Sequence, residues 1–148
     1  MKASELMVGD LLRVNRDGLC IKKDTIVQVR GIDGDNKFEK MGLIGCANCR
    51  PMDKKQFDGG IWIDYLSPIP LTPEILEKNF REYLPGINLM YQLKGPYFAM
   101  NEEGNQWVFG LVKEDGEKSC RYPLVKITYV HELQHALRLC GIDKEIML

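Results

Sequence analysis

A cluster of prolines in the middle of the chain limits what either half can fold into. Pro68, Pro70 and Pro73 fall within six positions of a sequence of 148 residues. Each proline fixes its own φ, lacks an amide donor and disfavours the helical conformation in the residue before it. Because no helix or central strand can run through such a stretch, the sequence predicts a stiff joint between two modules, 1–66 and 67–148.

The first module is predicted to be a small β-barrel. Turn signals such as Asp33-Gly34-Asp35-Asn36 separate short apolar runs, and the alternation at Val27 and Val29 indicates a half-buried strand. The number and spacing of the strands are typical of an SH3-like barrel. The intervening stretch 45–60 is longer than most connections in a compact barrel, so we predict a loop and functional insert there. The strands are predicted at 11–14, 25–32, 38–44 and 61–66.

The second module is predicted to be a helix, a four-stranded antiparallel meander and a closing helix. The first helix begins at Thr72 and ends at Pro85-Gly86. From Ile87 the period of the apolar residues changes to two, and short turns then join strands that can only be antiparallel neighbours. The last helix is predicted at about 129–140, with Gly141 as its left-handed cap. The predicted fold class is therefore α+β.

Composition and charge are those of an ordinary globular protein. The 20 Lys+Arg balance the 21 Asp+Glu, so no net charge directs the chain to nucleic acid or to an anionic membrane. We find neither a secretory signal nor a run of about 20 apolar residues that could cross a bilayer, and predict a cytoplasmic protein without a membrane partner. The cysteines number five, and an odd number favours reduced thiols.

One motif points to catalysis. The letters His131-Glu132-Leu133-Gln134-His135 match the H-E-x-x-H pattern of zinc peptidases. In such a site His131 and His135 share a zinc ion on one helix face, while Glu132 polarises the metal-bound water.

Physical arguments weaken this zinc-peptidase hypothesis. A catalytic zinc needs a third protein ligand, and the chain has only these two histidines. Arg138 would place a fixed positive charge beside the metal. We predict that Glu132 complements the helix dipole in the first turn, and that both imidazoles project away from the buried side of the helix. That buried side is predicted to consist of Val130, Leu133, Leu137 and Cys140.

Cys46 and Cys49 form the only closely spaced pair of cysteines. Their thiolates could supply half of a tetrahedral zinc site, but no second pair at similar spacing completes it. A redox pair would stand at the start of a helix, whereas Arg50-Pro51 follows here. We favour two incidental thiols in a loop and no bound cofactor, with zinc as the alternative.

Phe57, Trp62 and Tyr65 are the candidates for an aromatic-lined binding groove. Small barrels often bind peptides or nucleic acid in such grooves, although a buried core position is the commoner role for Trp62. Acidic residues are interleaved with the lysines of this module, so a phosphate-binding stripe is not predicted. These lysines are Lys22, Lys23, Lys37, Lys40, Lys54 and Lys55.

Three short segments, spread along most of the chain, carry a resemblance to known sequences. They are Glu5-Leu6-Met7-Val8-Gly9-Asp10, Pro68-Ile69-Pro70-Leu71-Thr72-Pro73-Glu74 and Tyr129-Val130-His131-Glu132-Leu133-Gln134. With them the chain resembles a family of small uncharacterised proteins of gut Bacteroidetes and their phages and mobile elements. Its members typically have Asn at the position of His135 and an aromatic-rich helix at 136–139. The resemblance implies a two-part α+β protein of unknown function and supplies no catalytic residues.

These features together predict a non-catalytic binding or adaptor module and not an enzyme. The module would act through contacts with an unidentified protein, and the resemblance implies a phage or mobile-element origin. Two alternatives stay open: a zinc-dependent hydrolase that uses His131, Glu132 and His135, and a nucleic-acid-binding barrel protein that uses Lys54 and Lys55.

Overall fold

The computed structural model describes residues 3–18, 21–33, 46–53, 58–84, 90–104, 106–115 and 118–148. These residues form two α-helices and two antiparallel sheets, which confirms the α+β class. The chain divides into two units, Met1–Ile69 and Pro70–Leu148. Neither helix in the described ranges combines the length and the apolar character needed to cross a bilayer.

The first unit is a five-stranded antiparallel sheet with the strand order β4-β3-β2-β1-β5. A 3-10 turn, Ile63–Tyr65, separates the last two strands. Alternate residues of the strands bury their side chains on one face, as the period-two pattern at Val27 and Val29 predicts. The strands are β1 (Leu11–Val14), β2 (Ile26–Asp33), β3 (Cys46–Pro51), β4 (Gly59–Trp62) and β5 (Leu66–Pro68).

Two predictions for this unit are wrong. The stretch 45–60 is not one long loop, because Cys46–Pro51 is a strand that pairs with β2 on one side and β4 on the other. The predicted strand at 61–66 is instead divided by the 3-10 turn. The division is needed because β4 borders β3, whereas β5 pairs with β1 at the opposite edge of the sheet.

The barrel itself is not confirmed. Among the described residues the first sheet is open, with β4 and β5 as its edges and no ladder between them. The predicted strand at 38–44 lies outside the described residues. The SH3-like barrel therefore stays a prediction.

The second unit is a five-stranded antiparallel sheet, with the order β10-β9-β8-β7-β6, and two helices. The indole N–H of the buried Trp107 donates a hydrogen bond to the Leu71 carbonyl (3.1 Å), and the Tyr91 hydroxyl donates one to Glu77 (3.2 Å). These bonds attach the first helix, through Glu77, and the segment before it, through Leu71, to the sheet. The elements are α1 (Pro73–Asn79), β6 (Arg81–Leu84), β7 (Met90–Gln92), β8 (Tyr97–Glu103), β9 (Gln106–Asp115), β10 (Lys118–Ile127) and α2 (Val130–Leu139).

The prediction of a four-stranded meander is wrong, because the sheet has five strands. The additional strand is β6, which forms because α1 ends at Asn79 instead of continuing to Leu84. Phe80 still donates its N–H to the Leu76 carbonyl (2.7 Å) but has extended dihedrals, φ −140° and ψ 161°. The Asn79 carboxamide bonds both backbone groups of Met147, donating at 2.7 Å and accepting at 2.8 Å. The chain then forms β6 beside β7, so pairing with a neighbouring strand outweighs the local helical pattern.

The two helix ends that the sequence marks most clearly are confirmed. Pro73 is the first residue of α1, and the Thr72 hydroxyl bonds the Glu74 carboxylate, which lowers the pKa of that carboxyl. At the end of α2, Gly141 has a φ of +69° and bonds the Arg138 carbonyl (2.9 Å). The Ile142 N–H bonds the Leu137 carbonyl (2.9 Å), which completes the glycine-capped C-terminus.

Candidate functional site

The glutamate of the H-E-x-x-H segment caps its own helix. One oxygen of the Glu132 carboxylate accepts hydrogen bonds from the backbone N–H of Thr128 (2.7 Å) and of Tyr129 (3.1 Å). The first turn of a helix has unsatisfied amides and a positive dipole end, so a carboxylate is stabilised there. The contact explains Glu132 without a metal-bound water.

The histidines of this segment differ in burial. His131 is buried and His135 is half-buried, so the prediction that both project away from the buried side of α2 is wrong for His131. The His131 ring stacks on Tyr129, with 5.9 Å between centroids, and meets His135 edge-on at 5.7 Å. The buried His131 ring is therefore packed between the side chains of Tyr129 and His135. The buried residues of α2 are Val130, His131, Leu133, Gln134, Ala136 and Leu137.

The described residues contain no cluster of metal-ligating side chains. Within the described ranges, no group of three or more His, Cys, Asp or Glu side chains is placed to hold a metal ion. His131 and His135 therefore have no third ligand there. The expectation that the protein has no cofactor stays a prediction.

The cysteine pair lies on strand β3 and not in a loop. Cys49 is buried in the core of the first unit, while Cys46 is half-buried. Residues three apart on a strand point to opposite faces, and their Cα atoms are about 10 Å apart at ~3.3 Å per residue. One zinc ion cannot bind both thiolates in that geometry, and a disulfide would need Cα atoms within about 7 Å.

Burial also makes Cys49 unreactive. Burial in the core and the neighbouring Cys46 raise the pKa of the Cys49 thiol from 9.0 to about 12. The thiol is therefore protonated near neutral pH, whereas a nucleophile or a metal ligand has to be a thiolate.

Two of the three predicted groove residues lie together. Trp62 and Tyr65 line one cleft of about 480 Å³ in the first unit, and both side chains are half-buried. Phe57 lies outside the described residues. The remaining wall is formed by residues of the β1–β2 connection and the sheet, among them Val14, Arg16, Asp17, Ile21 and Ile61.

Hydrogen bonds hold the two walls of this cleft in place. The Asn15 N–H donates to the Tyr65 carbonyl (2.8 Å), and the Asn15 carboxamide donates to the Asp64 carbonyl (3.2 Å). The Asp17 carboxylate accepts the backbone N–H of Lys23 (2.9 Å), which links two described residues of the β1–β2 connection. These bonds order the described walls of the cleft before a ligand binds. The cleft is thus preformed, and binding would cost little conformational entropy there.

Arg16 is the functional candidate that the sequence did not reveal. Its guanidinium carbon lies 5.5 Å from the centroid of the Tyr65 ring, a cation–π contact. In the sequence Arg16-Asp17-Gly18 indicates only a turn, and no local pattern shows that this turn faces Tyr65. A smaller cavity of about 260 Å³ in the second unit contains none of the predicted residues; Met90, Pro96, Phe98 and Glu114 are among those that line it.

Comparison of the chain with protein families, curated proteins and solved structures found no match. The resemblance described above therefore stays a prediction. What the fold and the site define is a class, an α+β protein of two units whose first unit has a preformed aromatic cleft.

Proposed function

We propose that this protein is a non-catalytic binding module that uses the aromatic cleft to hold an extended segment of a partner protein. One observation carries the proposal. Half-buried Trp62 and Tyr65 line the same cleft, and a backbone hydrogen bond from Asn15 to Tyr65 joins its walls. Aromatic side chains give a large contact area at a low cost in conformational entropy and dominate protein interfaces. A cytoplasmic location and a phage or mobile-element origin belong to the same proposal.

We also propose that the first unit is an SH3-like barrel. In support, β5 returns to pair with β1 after a 3-10 turn, and the cleft lies where that turn meets the β1–β2 connection. Antiparallel sheets twist, and a five-stranded sheet that curls brings its two edges towards each other.

The alternative functions have less support. For the zinc hydrolase, Glu132 is already engaged with two backbone amides, and His135 lies edge-on to a buried His131. For the nucleic-acid-binding barrel, the described residues that line the cleft include one cation, Arg16, while nucleic-acid sites use several cations. Lys54 and Lys55 lie outside the described residues.

The test of the proposed function is selection of peptides by the full-length protein. We expect displayed random peptides to yield binders whose dissociation constant rises at least about tenfold in Trp62→Ala, since truncating a buried interface aromatic costs about 2 kcal/mol or more. The matched control is Tyr122→Ala, because Tyr122 is a half-exposed tyrosine of the second unit, outside the cleft.

Fluorescence anisotropy gives the dissociation constants, and circular dichroism confirms that both variants are folded. Equal weakening by the two substitutions, or failure to select any peptide, would contradict the use of this cleft.

A further inference from the structure

Arg16 gives the aromatic cleft a charge preference. We propose that the cleft selects a partner segment in which apolar residues lie on Trp62 and Tyr65 and an Asp or Glu side chain pairs with Arg16. This inference rests on the proposed function, because it names the ligand chemistry of the same cleft.

The orientation of Arg16 leaves its donors available to a ligand. The guanidinium carbon lies 5.5 Å from the Tyr65 ring centroid. A guanidinium carries five N–H donors in its plane, in a fork that matches a carboxylate. Within the described part of the chain Arg16 forms neither an ion pair nor a hydrogen bond. Arg16 is exposed and lies beside Tyr65 at the cleft, so its guanidinium can make a bidentate contact with a ligand carboxylate.

The nearby carboxylates are directed elsewhere. Among the described lining residues Asp17 is the carboxylate, and it accepts the Lys23 backbone N–H at 2.9 Å. Asp58 pairs with Arg50 at 3.2 Å. Asp64 is exposed on the 3-10 turn and is not among the lining residues. An incoming carboxylate would therefore meet Arg16 without displacing an internal partner.

A peptide fits this cleft better than a nucleic acid does. Among the described residues that line the cleft, Arg16 is the one cation. A nucleic-acid site neutralises several successive phosphates. The apolar side chains of Val14, Ile21 and Ile61 also favour apolar residues of a protein segment over a sugar-phosphate backbone.

The experiment compares synthetic peptide pools that differ at one position. Each pool is random in Pro, Leu, Val, Tyr and Ser around a fixed central Glu, Gln or Lys, and each is captured by the full-length protein. We expect enrichment from the Glu pool, and about tenfold weaker binding when the Glu of the best peptide is replaced by Gln, as for loss of a charge-assisted hydrogen bond.

Arginine variants then test whether Arg16 causes the preference for Glu over Gln. Arg16→Gln should remove the preference for Glu over Gln, and Arg16→Lys, which keeps the charge without the fork, should retain part of it. The matched control is Arg13→Gln, because Arg13 is an exposed arginine of β1 that does not line the cleft. This control should bind as the wild type does.

Each other outcome overturns a different statement. If the Glu and Gln pools bind equally and Trp62→Ala weakens both, the carboxylate preference is wrong and the proposed function stands. If no pool binds, the proposed function is wrong as well. If oligodeoxythymidine binds more tightly than every pool and Arg16→Gln abolishes that binding, the cleft is a nucleic-acid site.

Discussion

Glu132 and Cys49 belong to the two motifs that most strongly indicate chemistry, and in each the surroundings give the side chain another role. The Glu132 carboxylate is held by the amides of Thr128 and Tyr129. The Cys49 thiol is packed in the core, where ionisation would leave a charge without water around it. A short motif fixes which groups are present, but their contacts decide what those groups can do.

The raised pKa of Cys49 predicts how stability depends on pH. Because the thiol ionises at 9.0 when unfolded and at about 12 when folded, the unfolded chain loses its proton first. The stabilisation is complete below pH 9 and is lost as the pH rises towards 12, with a slope of up to about 1.4 kcal/mol per pH unit. Unfolding in urea at pH 8 and pH 10 should show a smaller loss in Cys49→Val than in the wild type.

The control for this measurement is Cys120→Val, which removes an exposed cysteine. It should follow the wild-type pH dependence. Identical slopes in all three proteins would mean that Cys49 does not ionise differently in the folded state.

At the scale of an element, β10 shows how a sheet edge is protected. The Val112 N–H donates to the Pro96 carbonyl on the β8 side (2.7 Å), so the backbone of its partner Arg121 faces the open edge. Pro123, two residues further along, faces the same way and has no N–H to offer another strand. The register also shifts between Pro123 and Val125, which bends the edge. Exposed apolar residues lie beside it, namely Tyr122, Leu124 and Val125.

Removing this proline should make the protein self-associate. Pro123→Val supplies the missing donor and a side chain suited to strands, so we expect an association constant about tenfold higher, the equivalent of one or two hydrogen bonds. Sedimentation velocity over a range of concentrations measures it. Pro96→Val is the control, because Pro96 is exposed but lies outside the edge strand. The same association in both variants would rule out edge protection by Pro123.

At the scale of the whole molecule, each unit has a sheet with its own buried core. The first unit contains the cleft with Trp62 and Tyr65, and the second contains α2 with His131 and His135. The residues that indicate zinc chemistry are thus divided between the units, with Cys46 and Cys49 in one and the two histidines in the other. Since each unit has its own buried apolar residues, we predict that the protein folds around these cores and not around a metal.

Metal removal tests this description of the whole molecule. We expect purified protein to contain well under one zinc per chain, and its Tm to stay within about 1 °C after treatment with EDTA, because ligand loss lowers stability only where a ligand was bound. Elemental analysis and calorimetry measure the two quantities. A zinc that is lost in His135→Ala would favour the hydrolase, and a zinc that is lost in Cys46→Ser would indicate a structural site.

The sequence by itself determined the features that depend on neighbouring residues. A short apolar run placed β1, the alternation at Val27 and Val29 placed β2, and the glycine at 141 placed the end of α2. These predictions succeed because backbone preferences and side-chain periodicity act within a few residues. The α+β class follows from them.

Only the tertiary structure decided the features that depend on distant partners. The end of α1 depends on Asn79 bonding Met147, and Cys46–Pro51 becomes a strand because two other strands flank it. The contact of Arg16 with Tyr65 brings together residues from opposite ends of the first unit. Such contacts form only when distant parts of the chain have come together in the folded structure. The periodicity of the sequence does not indicate which distant residue each side chain will contact.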